Sequence, residues 1–278
     1  MITRDEILRR LRAEIASGRP VIGAGAGTGL SAKCEEAGGA DLVIVYNSGR
    51  FRMAGRASSA GTMPFGDANG IVVDMAHEII PVVEDTPVIA GVCATDPFRI
   101  MGVFLKQLKE MGFSGVQNFP TVGIFDGGYR EHLEWTGMGF DKEVEMIAMA
   151  HDLDLLTTPY AWDPEQAEAM AKAGADVLVA HVGRTVAGMI GARTSITLDS
   201  AVEQVQAIHD AAKVVNPDLI VICHGGPLAL SSDVAYLMER TQGIDGFYGA
   251  SSMERIPTEI AITENMRQFK SLPLSSHA

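Results

Sequence analysis

The sequence predicts an α/β protein, a (β/α)8 TIM barrel with an extra N-terminal helix, on three observations. Short apolar runs bounded by turn residues recur along the chain, a segment with helical spacing follows each run, and the pair repeats eight times. Such alternation implies a parallel sheet with right-handed crossovers, and eight units favour a closed ring over an open, doubly wound sheet. At 278 residues the chain has room for a barrel of about 250 residues plus an extension, so residues 1–278 are expected to form one domain.

The extension comes first. Ile2–Ile15 mixes charged residues with Ile and Leu, which predicts a helix capping the bottom of the barrel, with Thr3 as N-cap and Glu6 completing a capping box. Strands are expected at Val21–Ala24, Leu42–Tyr46, Val88–Val92, Gly115–Phe119, Leu153–Thr157, Val177–His181, Leu219–His224 and Ile244–Tyr248. The helices that follow them are expected at Ser31–Ala37, Ala68–Val83, Pro97–Met111, Asp141–His151, Pro164–Ala173, Ser200–Val215, Ser231–Arg240 and Pro257–Phe269. Glycines at Gly38, Gly112 and Gly174 stand where helices end and the chain turns back into a strand. Two βα loops, Asn47–Asp67 and Thr121–Phe140, are longer than the geometry needs and could close over a substrate or make oligomer contacts. The tail after Leu272 is expected to be loose.

Composition excludes several functions. The chain has 22 Lys and Arg against 35 Asp and Glu, a net charge of -13, so it lacks the basic face that nucleic acid requires. Cys34, Cys93 and Cys223 are far apart, odd in number and free of any C-x-x-C spacing, which fits a reducing cytosol. Met1–Arg12 does not read as a signal peptide, and no apolar run approaches the ~18 residues that span a bilayer. We therefore expect a cytoplasmic protein with no membrane partner, and the many Met and Ala residues of its loops and outer helices suggest a homo-oligomer.

In a barrel, chemistry belongs to the loops after the strands. Of the seven histidines, only His181 and His224 close a strand, where an imidazole can move a proton or contact an oxyanion. His77, His132, His151, His209 and His277 fall elsewhere and receive no role. Gly225 and Gly226 follow strand seven, and Gly249, Ser251 and Ser252 follow strand eight; backbone amides there can cradle a phosphate, although the same glycines could serve only as tight turns. Gly25, at the end of strand one, is a further candidate contact. Arg184 and Arg193, in the loop after strand six, could grip phosphate or carboxylate, or could be solvated or interface residues. The run Gly23–Gly29 fails as a dinucleotide fingerprint, because Thr28 and Leu30 occupy the third-glycine positions of its two registers.

Thr28-Gly29-Leu30-Ser31-Ala32-Lys33, Glu35-Glu36-Ala37-Gly38, Tyr46-Asn47-Ser48-Gly49 and Gly174-Ala175-Asp176 leading to His181 resemble the phosphoenolpyruvate mutase/isocitrate lyase superfamily. The whole chain resembles its phosphoenolpyruvate hydrolase-like branch. The resemblance implies a small phosphorylated or dicarboxylic α-oxo acid at the strand ends, with Ser48 and Gly49 contacting its anionic group. It also places Asp67 near a reactive aspartate of the relatives. Relatives ligate Mg2+ with carboxylates ending strands three and four; here those positions offer Asp96 and the neutral Asn118 as metal candidates, which weakens hard-cation binding. The Lys-Lys-Cys-Gly-His motif of the lyases is missing. The expected activity is hydrolase, mutase or C–C/P–C lyase chemistry on phosphoenolpyruvate or a related acid, with Asp67, His181 and His224 as catalytic candidates. The rivals are a non-catalytic metabolite-binding signal-transduction barrel and another phosphate-binding barrel isomerase or aldolase; a Schiff-base aldolase would need a strand-end lysine, and none is present.

Overall fold

The computed structural model describes residues 2–274, so the end of the tail, His277 included, lies outside the described residues. Nine short strands run parallel: β1 (Val21–Gly25), β2 (Leu42–Val45), β3 (Val88–Gly91), β4 (Gly115–Gln117), β5 (Leu156–Thr157), β6 (Tyr160–Ala161), β7 (Val177–His181), β8 (Ile220–His224) and β9 (Gly246–Gly249). Their order is β5-β4-β3-β2-β1-β9-β8-β7-β6, which leaves β5 and β6 at the two ends of the sheet. These two are halves of one barrel strand. Thr158 donates its N–H to Val116 O at 2.9 Å, and Pro159 O accepts from Val179 N at 2.9 Å, so the ladder continues across the break and the ring closes. Pro159 has no N–H to offer the ladder, which is why the strand is interrupted there.

The fifth strand therefore starts later than the Leu153 expected from the sequence. Leu153 still belongs to the end of the helix Asp141–Asp152, its N–H donating to Met149 O, and Asp154 turns the chain with φ 56°. The helix expected from Pro97 starts at Met101, because Asp96 accepts the Phe98 N–H and holds the preceding residues in a turn. The two long loops carry structure of their own: helices Asn47–Met53 and Gly127–Trp135, and a 3-10 turn at Ser58–Thr62.

Period-two alternation sorts the strand residues into two cores. Ile44, Ile89, Leu156, Val179, Ile222 and Tyr248 fill the barrel, and Ile7 and Leu11 of the N-terminal helix Arg4–Ala16 close its floor. Val43, Val45, Ala90, Leu178, Val221 and Phe247 face outward and pack on the surrounding helices through Val72, Met75, Leu105 and Ile208. Arg4 fastens the floor helix by a two-bond grip on Asp176 at 2.8 and 2.6 Å. Thr3 caps that helix by accepting Glu6 N, but the Glu6 carboxylate turns to Arg9 and Arg10, so only half of the expected box is made. The last helix, Ile256–Lys270, buries only Ile256. Among the described residues no helix is long and apolar enough to cross a membrane.

Candidate active site

The inward-facing pattern continues past the last ladder bonds and sends aromatic and imidazole rings into the mouth of the barrel. His181 and His224 are register partners on β7 and β8. Tyr46, Phe119 and Tyr160 follow β2 and β4 and open β6, and with the two histidines they line a cavity of about 140 Å3. Arg184, Ser48, Ser58 and Ser251 contribute to its polar wall, and among the described residues none that lines it is an Asp or Glu.

Both imidazoles are held from two sides. Trp162 stacks on His181 with ring centroids 3.7 Å apart, and Tyr160 stacks on His224 at 5.2 Å. His181 Nδ1 accepts the Gly183 N–H at 3.1 Å, whereas His224 Nδ1 meets the Tyr248 carbonyl. A carbonyl can only accept, so neutral His224 carries its proton on Nδ1 and leaves Nε2 as a lone pair; neutral His181, accepting at Nδ1, carries its proton on Nε2. Burial holds both in the neutral form. It pushes His181 well below the usual histidine range, helped by His224 and Arg184, and takes His224 down to about 4, partly offset by the Tyr248 carbonyl.

Among the described residues Arg184 is the one cation on the wall. Its guanidinium lies 5.7 Å from the Phe119 ring and reaches Thr62 Oγ1 at only 3.5 Å, and it forms no ion pair among the described residues. Burial lowers its pKa. Arg52 shows the contrast: fully buried beneath the site, it makes two bonds to Glu254 at 2.8 and 2.6 Å and one to Gly25 O at 2.8 Å.

The structure brings together five of the residues singled out in the sequence: Ser48, His181, Arg184, His224 and Ser251. The others lie off the wall. Gly25 serves Arg52 through its carbonyl, and Gly49 spends its N–H on Tyr46 O. Gly225 and Gly226 have φ of 86° and 57°, and the Gly226 N–H donates to Gly183 O at 2.7 Å, so they shape a turn that passes under the Arg184 loop. Gly249 packs on Met253, and Ser252 faces an outer groove beside Leu230 and Ile256. Asp67 caps the helix Ala68–Ile79 by accepting Gly70 N and is gripped by Arg99 at 2.7 and 3.0 Å, away from the histidines.

The sequence reading missed Tyr46, Phe119, Tyr160 and Trp162. The in-out alternation could have found Tyr46 and Phe119, while Tyr160 and Trp162 were hidden by the early placement of strand five.

A family profile for phosphoenolpyruvate hydrolase-like proteins matches residues 6–272. The chain belongs to that family. Two tomato (Solanum lycopersicum) proteins are similar to this phosphoenolpyruvate hydrolase-like chain: the ToMV susceptible protein tm-1(GCR26), 61% identical over 96% of the chain, and the ToMV resistance protein Tm-1(GCR237), 60% identical over 98%. The chain spans 36% of the length of each. Among solved structures, the fold matches phosphoenolpyruvate phosphomutase from Streptomyces platensis subsp. rosaceus with a TM-score of 0.57 and 18% identity, covering 94% of this chain and 86% of that one. It also matches phosphonopyruvate hydrolase, in a complex with oxalate and Mg2+, at 0.54 and 16%, covering 96% and 92%. A third match, 2,3-dimethylmalate lyase, reaches 0.58 at 16% identity over 100% and 92%, and is a member of the PEP mutase/isocitrate lyase superfamily. These likenesses fix the fold.

The metal seen in one neighbour finds no ready seat in this phosphoenolpyruvate hydrolase-like chain. Asp96 accepts from Asn69 at 2.9 Å and from Arg99, and its other oxygen takes the Phe98 N–H. Asn118 accepts Tyr160 N at 2.7 Å and donates to the buried Glu143 at 2.5 Å, so its amide is held by the barrel strand and the helix Asp141–Asp152. Among the described residues no three His, Cys, Asp or Glu side chains gather into an all-protein cation cage. Asp96 and Asn118 do not fit the role of a metal pair.

Proposed function

We propose that the chamber binds phosphoenolpyruvate or a related small α-oxo acid and that the chain is an enzyme acting on it. The observation that carries this is Arg184: a half-buried guanidinium without a carboxylate partner among the described residues, on a wall where no described residue is a carboxylate. A buried cation left unpaired is costly, and an anionic ligand supplies the missing partner. The two tautomers then divide the work. Arg184 and the hydroxyls of Ser48 and Ser251 hold the anion, while His181 Nε2–H donates to the oxygen on which negative charge grows, as a neutral imidazole can. His224 Nε2 takes a proton from water. For phosphoenolpyruvate, the water oxygen bonds to phosphorus as the P–O(enol) bond breaks, and the proton on His224 passes to the methylene carbon of the enolate, giving pyruvate and phosphate.

A panel of phosphoenolpyruvate, phosphonopyruvate and oxaloacetate tests the reading. Turnover should vanish in Arg184→Ala, and turnover that survives His181→Ala with His224→Ala removes the acid–base assignment. A second reading is favoured by the missing metal carboxylates: a metabolite-binding barrel that passes a signal to a partner. Tight oxalate binding with no product from any panel member would select it. In either case we place the protein in the cytoplasm, with its three cysteines unpaired, and as a homo-oligomer.

A further inference from the structure

The loop between β7 and the helix Leu198–Val215 supplies Arg184, Thr185 and Ile190 to the cavity wall. Its base is bonded to the turn after β8, through Gly226 N to Gly183 O at 2.7 Å and Val186 N to Gly226 O at 3.1 Å. Its tip needs a separate restraint. Ala187 and Gly188 both have positive φ, 66° and 73°, and for a residue with a side chain that backbone is uphill.

The tip rests on the C-terminal helix. Arg255 donates to Ala187 O at 2.9 Å, Glu259 accepts Met189 N at 2.8 Å, and the two side chains pair with each other at 3.0 Å. Both are largely buried, with side-chain exposures of 4% and 13%, although Met189 itself is exposed. Gly188 passes so close that a Cβ there would collide with both side chains. Arg255 ends a π-helical turn, Ser251–Arg255, whose first residue lines the cavity and whose Glu254 holds Arg52. Such turns insert one residue too many into a helix, and here that aims neighbouring residues at three different targets.

We propose that Arg255 and Glu259 are positioning residues that latch the 183–192 loop across the cavity and so set Arg184 against its anion. This rests on the anion-binding reading above for its consequence, though not for the latch itself. Releasing the tip lets Ala187 leave its left-handed conformation, and Arg184 loses a fixed direction; unfolding of the barrel is not required.

Hydrogen exchange on the 278-residue chain tests the latch without any ligand. In Arg255→Ala and Glu259→Ala, the amides of residues 186–192 should exchange at least tenfold faster while those of β1 to β4 do not change. Gly188→Ala, which displaces the tip and keeps both latch side chains, should do the same, and covers the case in which the Arg255 variant folds poorly. Arg255→Lys and Glu259→Gln each keep one bond to the tip and should restore most of the protection. Calorimetry with oxalate then reads the consequence: an affinity at least tenfold weaker in the three released variants. Unchanged loop exchange overturns the latch, and faster exchange with unchanged oxalate affinity overturns its role in positioning Arg184. Wild-type protein that binds neither oxalate nor inorganic phosphate overturns the anion site, while the exchange data still decide the latch.

Discussion

The Nδ1 atoms of His181 and His224 face partners of opposite kind, a backbone N–H for His181 and a backbone carbonyl for His224. Two imidazoles with centroids 4.5 Å apart are thereby fixed as different tautomers. Nitrogen-15 NMR of the histidine side chains near pH 7 should show one buried ring protonated at Nε2 and another at Nδ1. His181→Gln and His224→Gln assign them, and two rings in the same tautomer would refute the division of roles.

Stability should respond to pH through two opposed slopes that overlap in one window. His224 titrates near 4 in the fold against its ordinary 6.5, so the unfolded chain binds the extra proton between those values. Its contribution is complete above pH 6.5 and is lost as pH falls toward 4, roughly 3 kcal/mol in all. Glu143 is raised by burial from 4.5 to about 7, despite bonds from Val122 N, Thr121 and Asn118, so here the fold binds the extra proton between those values; its contribution is complete below pH 4.5 and is lost as pH rises to about 7. Because the two slopes oppose each other over nearly the same pH range, urea midpoints from about pH 4 to 7.5 should fall more with rising pH in His224→Gln than in the wild type, and rise more with pH in Glu143→Gln. An unchanged pH profile in His224→Gln would show that His224 is not the group that titrates.

Arg184 should trade stability for binding. Arg184→Met replaces a half-buried charge that has no carboxylate partner among the described residues, and the empty protein should be at least as stable, gaining up to about 1 kcal/mol. The same variant should lose at least tenfold in oxalate affinity, and saturating oxalate should no longer raise its Tm. A destabilised empty variant that still binds oxalate normally contradicts both halves.

Arg52 and Glu254 should behave in the opposite sense. Both side chains are fully buried, and removing one leaves the other charged without a partner. Arg52→Met alone should cost about 3–5 kcal/mol in urea denaturation, and Glu254→Leu added to it should recover part of that. Full recovery is blocked because Glu254 also accepts the Gly27 N–H. A double variant no better than the single would show that the pair is not coupled.

The barrel was legible because its apolar runs and glycine stops depend on local rules, and these placed β1, β7 and β8 to within a residue. Leu153 and Pro159 show the limit: an apolar run overlapped the end of a helix, and a proline hid the second half of the strand. The strand-end histidines were legible from position alone, as were Ser48, Arg184 and Ser251. Asp67 and Asp96 were not, because Arg99, distant from Asp67 in sequence, takes up both carboxylates. Nor could the sequence separate glycines that offer an amide from those, such as Gly226, that make a turn. The placing of a half-buried Arg184 on a wall without a carboxylate, on which the proposed activity rests, is a property of the assembled mouth and leaves no local trace.

A wall without carboxylates sits inside a molecule of net charge -13. An incoming dianion therefore climbs a repulsive outer field before it meets attraction within a few ångströms of Arg184. Added salt shrinks the outer field first, since screening acts over about 8–10 Å at physiological strength and reaches desolvated pairs least. Capture of such a ligand should thus quicken with ionic strength while its escape rate hardly moves, the reverse of the salt response of an enzyme that steers its ligand in from afar.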